Sequence, residues 1–118
     1  MELSSTVWGP HYWFVLHTIA LSYPIYPTNA IKKKYYDFIQ NLTLFLPTSE
    51  TKKQFGITLD KYPVTPYLDT RESFIRWVHF IHNQINKSLG KPETALSDSL
   101  NEYYQSYKPK RVIQLEKI

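Results

Sequence analysis

Three of the chain's four histidines stand where a ligand site would want them. In "RWVHFIHNQINKSLGKP" (76–92), His79, His82, Asn83 and Asn86 fall on one arc at helical spacing. A surface helix ordinarily sets its apolar stripe against Lys and Glu; this one sets it against His and Asn. Earlier in the chain, His17 shares a face with Trp13, Leu16 and Ala20. Three chemistries compete for these residues. They can be core histidines with satisfied hydrogen bonds and Asn turned to solvent. They can be a metal site, since His79 and His82 lie at i, i+3; but no Asp or Glu sits with them, so no metal is assigned. Or they can line a slot for a planar aromatic ligand, which wants flat apolar walls and a few convergent donors and acceptors. His and Asn supply both without bringing a fixed charge into a dry site.

The elements that must position them are helices. The spacing predicts four main helices, at about 9–23, 28–46, 48–61 and 70–89, and a short Tyr-rich fifth at about 95–107. Pro10 suits a first turn, and "YPIYP" ends the first helix. Thr28 or Asn29 caps the second, with Ile31, Tyr35, Phe38, Leu42 and Phe45 along its apolar stripe. Thr48 is expected to cap the third. Asp69 or Thr70 opens the fourth, Phe74, Val78, Ile81, Ile85 and Leu89 form its core arc, and Gly90 and Pro92 close it. Strand alternation is convincing nowhere. The expected class is all-α: a four-helix bundle with a short fifth helix, in a single domain over 1–118, its last residues, about 108–118, a loose tail or part of a dimer.

Composition narrows the function classes. At 118 residues and 42% hydrophobic, 16% aromatic, the chain can bury a core without staples and is too aromatic to be disordered. The formal charge of +4 is mild, and its basic runs read as solvated helix ends, so no nucleic-acid partner is expected. There is no cysteine, which excludes disulfides and thiolate chemistry within these residues. Neither a leader-like apolar segment nor a membrane-spanning run is visible, and a cytoplasmic protein is expected.

Two stretches in this order, "WGPHYWFVLHTIALSYP" and "WVHFIHNQINKSLGKP", with "FIQNLTLFLP" between them, make the chain resemble the Erv/ALR family of FAD-linked sulfhydryl oxidases, its small viral members in particular. The resemblance spans residues 8 to about 107. It implies FAD as cofactor, a bundle holding it at one end, and a homodimer, in a viral protein of an infected host cell. It implies cofactor contacts at Gly9, Trp13 and His17 in the first stretch and at His82, Asn83, Asn86, Lys87 and Lys91 in the second. His79 takes a contact position with an atypical residue, and Tyr103 and Tyr107 stand where relatives often carry Trp.

The family's redox pair belongs just after the second helix, where this chain reads "LPTSETKKQF" and places Thr48 and Thr51. A second disulfide of cellular relatives would fall near Ser73 and Leu96. Thiol–disulfide exchange runs through thiolate attack, which a threonine hydroxyl cannot replace. The resemblance therefore implies a flavin-binding protein without catalytic residues for thiol oxidation, either a natural paralogue or a redesigned variant. A helical dimer scaffold with a vestigial pocket is the alternative. A flavin reduced by some untethered donor is a third possibility.

Overall fold

The computed structural model describes residues 1–108, and the tail expected at about 108–118 lies almost wholly outside them. Five α-helices follow in order: α1 (Ser5–Leu21), α2 (Asn29–Leu42), α3 (Ser49–Lys61), α4 (Arg71–Ser88) and α5 (Leu96–Tyr107). Short 3-10 turns sit at Thr43–Phe45 and Thr65–Tyr67. No strand occurs among the described residues, as the periodicity predicts.

Hydroxyl caps set the starts of α1–α4, whereas α5 begins after Ala95 with no side-chain cap. Thr28 accepts from the Ile31 amide at 3.2 Å and Thr70 from Ser73 at 3.1 Å. At α3 the cap is reciprocal: Thr48 Oγ1 accepts from the Thr51 amide at 3.3 Å, and Thr51 Oγ1 accepts from the Thr48 amide at 3.4 Å. Such a box satisfies two of the four orphan donors at a helix start. α1 begins four residues before its expected start, because Ser4 caps it and the Trp8 indole is tied to the Leu3 carbonyl at 2.8 Å. Pro10 thus sits inside α1 rather than in its first turn.

α2 ends at Leu42, short of the expected 46. Leu46 must be extended before Pro47, and the chain tightens into a 3-10 turn to reach it. That turn rotates Phe45 off the stripe, leaving it 69% exposed, and Phe38 is 39% exposed. Ile39 is the residue of α2 that is fully buried. Leu89, expected in the core, caps α4 and is exposed.

α1 lies along α4, and α5 packs on both. The core joins Leu16 and Ala20 of α1, and Tyr23 just beyond its end, to Phe74, Trp77, Val78 and Ile81 of α4, with Phe55 and Leu59 of α3 behind them. Its polar atoms are satisfied: Tyr23 donates to the Leu68 carbonyl at 2.7 Å and Trp77 to the Tyr62 carbonyl at 3.1 Å. The closely packed α1–α4 pair forms the frame of the site.

Candidate functional site

A cleft of about 950 Å³ opens between α1 and α4 and runs on to α2 and α3. This is the upper end of the range for small-molecule sites. From α1 it is lined by Gly9, Trp13 and Leu16, and from α4 by His79, His82, Asn83 and Asn86, with Lys91 at its rim. The far end is apolar, with Leu42, Leu46 and Phe55, and there Thr51 and Gln54 face in from α3. At Gly9 nothing lies within 4 Å of where a Cβ would stand, so the wall is open at that point.

The wall is built from stacked rings. Trp13 and His82 lie face to face, centroids 4.0 Å apart and planes 8° apart. Behind His82 comes His17, its Nε2 3.0 Å from His82 Nδ1. His17 in turn stacks on Tyr103 of α5 at 4.4 Å. Burial, and then the charges His82 and His79 would carry, push His17 down to about 3. Burial, then His79 and Lys91, push His82 down to about 4. Both rings are therefore neutral near pH 7 and share a single hydrogen across their contact. Burial lowers His79 as well and raises the Tyr103 hydroxyl to about 12. The ring-lined wall of the cleft is therefore neutral; Lys91 is the one Lys or Arg among the described lining residues, and Glu50 and Glu102 also line the cleft.

Those shifts make stability depend on acid. The unfolded imidazoles titrate near 6.5, whereas the folded ones resist protonation. The stability gained by keeping them neutral is complete above about pH 6.5 and is lost as pH falls towards 4. We expect the ligand-free melting temperature to fall steadily over that window, with about two protons taken up per molecule unfolding near pH 5. A melting temperature flat from pH 7 to 4.5 would contradict the buried neutral pair.

Not every expected contact residue reaches the cleft. His17 is 3% exposed and stands one layer back, behind His82. Lys87 follows Asn86 by one residue, about 100° round the helix, and is exposed to solvent away from the cleft. Tyr107 ends α5 against α1, where its hydroxyl meets Thr18 and its ring packs on Phe14; of these two α5 tyrosines, Tyr103 is the one that lines the cleft. Asn83 lines it too, but its amide is spent on Thr94 and His79. Ser73 lies in the first turn of α4, bonded to the Tyr67 carbonyl, whereas Leu96 opens α5 next to the Thr94 segment. That segment is fastened at Asn83, about 15 Å along the helix from Ser73, so the two positions are too far apart for a disulfide. Trp8 and Tyr12 also line the cleft and were not expected there. Their i, i+4 spacing was the available signal, and their rings meet at 4.9 Å.

A family model described as "Erv1 / Alr family" matches residues 10–106. A probable FAD-linked sulfhydryl oxidase of Acanthamoeba polyphaga mimivirus is 32% identical over 110 residues, 92% of this chain and 77% of that protein. The mitochondrial FAD-linked sulfhydryl oxidase erv1 of Schizosaccharomyces pombe is 33% identical over 71% of this chain, but the match spans under half of that longer protein, 46%. The FAD binding domain of Erv1 from Saccharomyces cerevisiae superposes with a TM-score of 0.80 at 25% identity, over 91% of this chain and all of that one.

Proposed function

The chain belongs to the Erv1/Alr family, and from that membership we propose that it binds FAD in the α1–α4 cleft and does not oxidise thiols by the route of a tethered dithiol. What carries the binding assignment is the preformed trough itself, with flat neutral rings along one wall and one cation at the rim. The Trp13–His82 pair offers a flat face to an aromatic ring system. Asn86 and the outer nitrogen of His82 supply hydrogen-bonding edges, Gly9 leaves room for a group to approach the backbone, and Lys91 suits a diphosphate. His17 acts at one remove, holding the His82 ring in place. Bound FAD would supply an electron-accepting ring whose reduced form can pass electrons to oxygen.

The residues that would feed electrons into that ring are absent from these 118 residues, which contain no sulfur nucleophile. Thr48 and Thr51, assigned to the dithiol positions, place their hydroxyls 2.8 Å apart, with Thr51 on the cleft wall. A hydroxyl does not ionise near neutral pH and forms no disulfide, so the pair does a structural job: it caps α3.

The homodimer remains part of this proposal. It is supported by exposed apolar side chains at one edge of the cleft: Val15 and Phe38 (56% and 39% exposed), and Phe45, whose carbonyl accepts from Tyr12 at 3.2 Å. No helix among the described residues is long and apolar enough to cross a membrane. A viral origin is supported by the mimivirus relative, most of whose length this chain matches; the cytoplasmic setting belongs to the same proposal.

Thermal melting with added FAD tests the binding assignment and discriminates it from a scaffold with a vestigial pocket. A ligand at 100 times its dissociation constant adds about 2.7 kcal/mol. The expected result is a rise of several degrees with FAD. An unchanged melting curve at saturating FAD favours the scaffold.

A further inference from the structure

We propose that Asn83 is a positioning residue: it clamps the Lys91–Thr94 strap onto α4, sets the Lys91 ammonium at the cleft rim, and thereby favours flavins that carry a diphosphate. The proposal rests on the FAD assignment and deepens it.

The strap begins where α4 ends. Gly90 takes a φ of +73°, a left-handed turn that favours glycine. The Lys91 amide then donates back to the Asn86 carbonyl at 2.8 Å, which pins the first end. The other end is pinned by Asn83. Its Oδ1 accepts from the Thr94 amide at 2.9 Å, and its Nδ2 donates to the Thr94 carbonyl at 2.8 Å. These two bonds fix the amide's orientation, so the contact at 3.1 Å from Nδ2 to His79 Nε2 is a donation to a bare ring nitrogen. His79 then carries its hydrogen on Nδ1. Both Asn83 N–H groups are used, and one lone pair of its oxygen remains. Asn83 therefore has no donor left for a ligand, although it lines the cleft.

The anchors on α4 are three residues apart, about 4.5 Å along the axis. The strap between them has three steps of up to about 3.3 Å each, and Pro92 within it has no N–H to satisfy. Lys91 is the first residue of the strap, directly at its anchor on the Asn86 carbonyl. Among the described residues lining the cleft, Lys91 is the one Lys or Arg side chain. A phosphate group brought to the cleft meets its charge there, and riboflavin has no such group.

The test is a double-mutant cycle on Asn83→Ala and Lys91→Ala, titrated with FAD and with riboflavin. Each single change is expected to weaken FAD about tenfold, the size of one charge-assisted hydrogen bond, and to leave riboflavin nearly unchanged. The double variant is expected to bind FAD no worse than the weaker single, because both act through the same ammonium. Thr94→Pro, which removes the clamped amide without touching α4, is expected to behave like Asn83→Ala and covers the case in which Asn83→Ala does not fold. Losses that multiply in the double variant, or an Asn83→Ala loss equal for both flavins, would overturn the proposal. If the unaltered chain binds neither flavin, the FAD assignment fails and the selectivity with it. The clamp is then decided separately, by amide exchange at Thr94 in the ligand-free protein. Protection lost on Asn83→Ala supports it, and protection equal in both proteins refutes it.

Discussion

Replacing Thr48 and Thr51 together by cysteine is expected to turn the FAD-loaded chain into an oxidase of small dithiols. The two hydroxyl oxygens lie 2.8 Å apart at the start of α3, and Thr51 already faces the cleft. Cysteines at i and i+3 at a helix start are within reach of a disulfide, and a helix N-terminus lowers thiol pKa. An external dithiol would reduce that disulfide by exchange, the paired thiols would pass two electrons to the flavin, and oxygen would accept them. Oxygen consumption with dithiothreitol should rise about a hundredfold or more over the unaltered protein, because the reductant is now held against the ring. Loss of the reciprocal cap should cost roughly 0.5–2 kcal/mol in the reduced form. Thr48→Ser with Thr51→Ser keeps the caps and should stay inactive. A double cysteine variant that binds FAD yet consumes oxygen only at background would mean that positions 48 and 51 do not meet the flavin.

Trp13→Ala should produce the largest loss of cofactor affinity from a single side chain. It removes the ring lying 4.0 Å from His82 and leaves that imidazole without its flat partner. Stacking on an aromatic side chain is worth about 1–3 kcal/mol, or roughly a five- to 150-fold change in affinity. Trp13→Phe should restore most of it. The ligand-free fold should suffer less, because Trp13 is only partly buried and packs at the margin of the core. Equal FAD affinity in the alanine variant and the unaltered protein, measured by fluorescence titration, would remove Trp13 from the site.

What was legible in the sequence was direction around each helix. Trp13, His82 and Asn86 face the cleft because helical spacing sets their direction, whereas Lys91, beyond the end of α4, came from the resemblance alone; the caps at Thr28, Thr48 and Thr70 follow from local hydroxyl chemistry. What periodicity does not carry is depth. His17 shares a face with Trp13 but lies one turn further into the bundle, where α5 covers it. Its truncation should therefore harm folding as well as binding, contrary to what its place in the motif suggests. Asn83 is on the expected arc, but only the folded strap reveals that its amide is already bonded. Tyr107 was placed by resemblance, and the path of α5 carries it past the cleft to Thr18. The early start of α1 depends on Ser4 and the Trp8 indole, which no apolar period announces.

The most direct test is the visible absorption spectrum of the purified protein, recorded anaerobically before and after addition of dithiothreitol. A flavoprotein with a complete cleft and no dithiol should be yellow, with close to one flavin per chain released on denaturation. Its flavin band should bleach no faster than that of free FAD at the same dithiothreitol concentration. A colourless protein that takes up no added FAD, or a bound flavin bleached within the mixing time, would contradict the account.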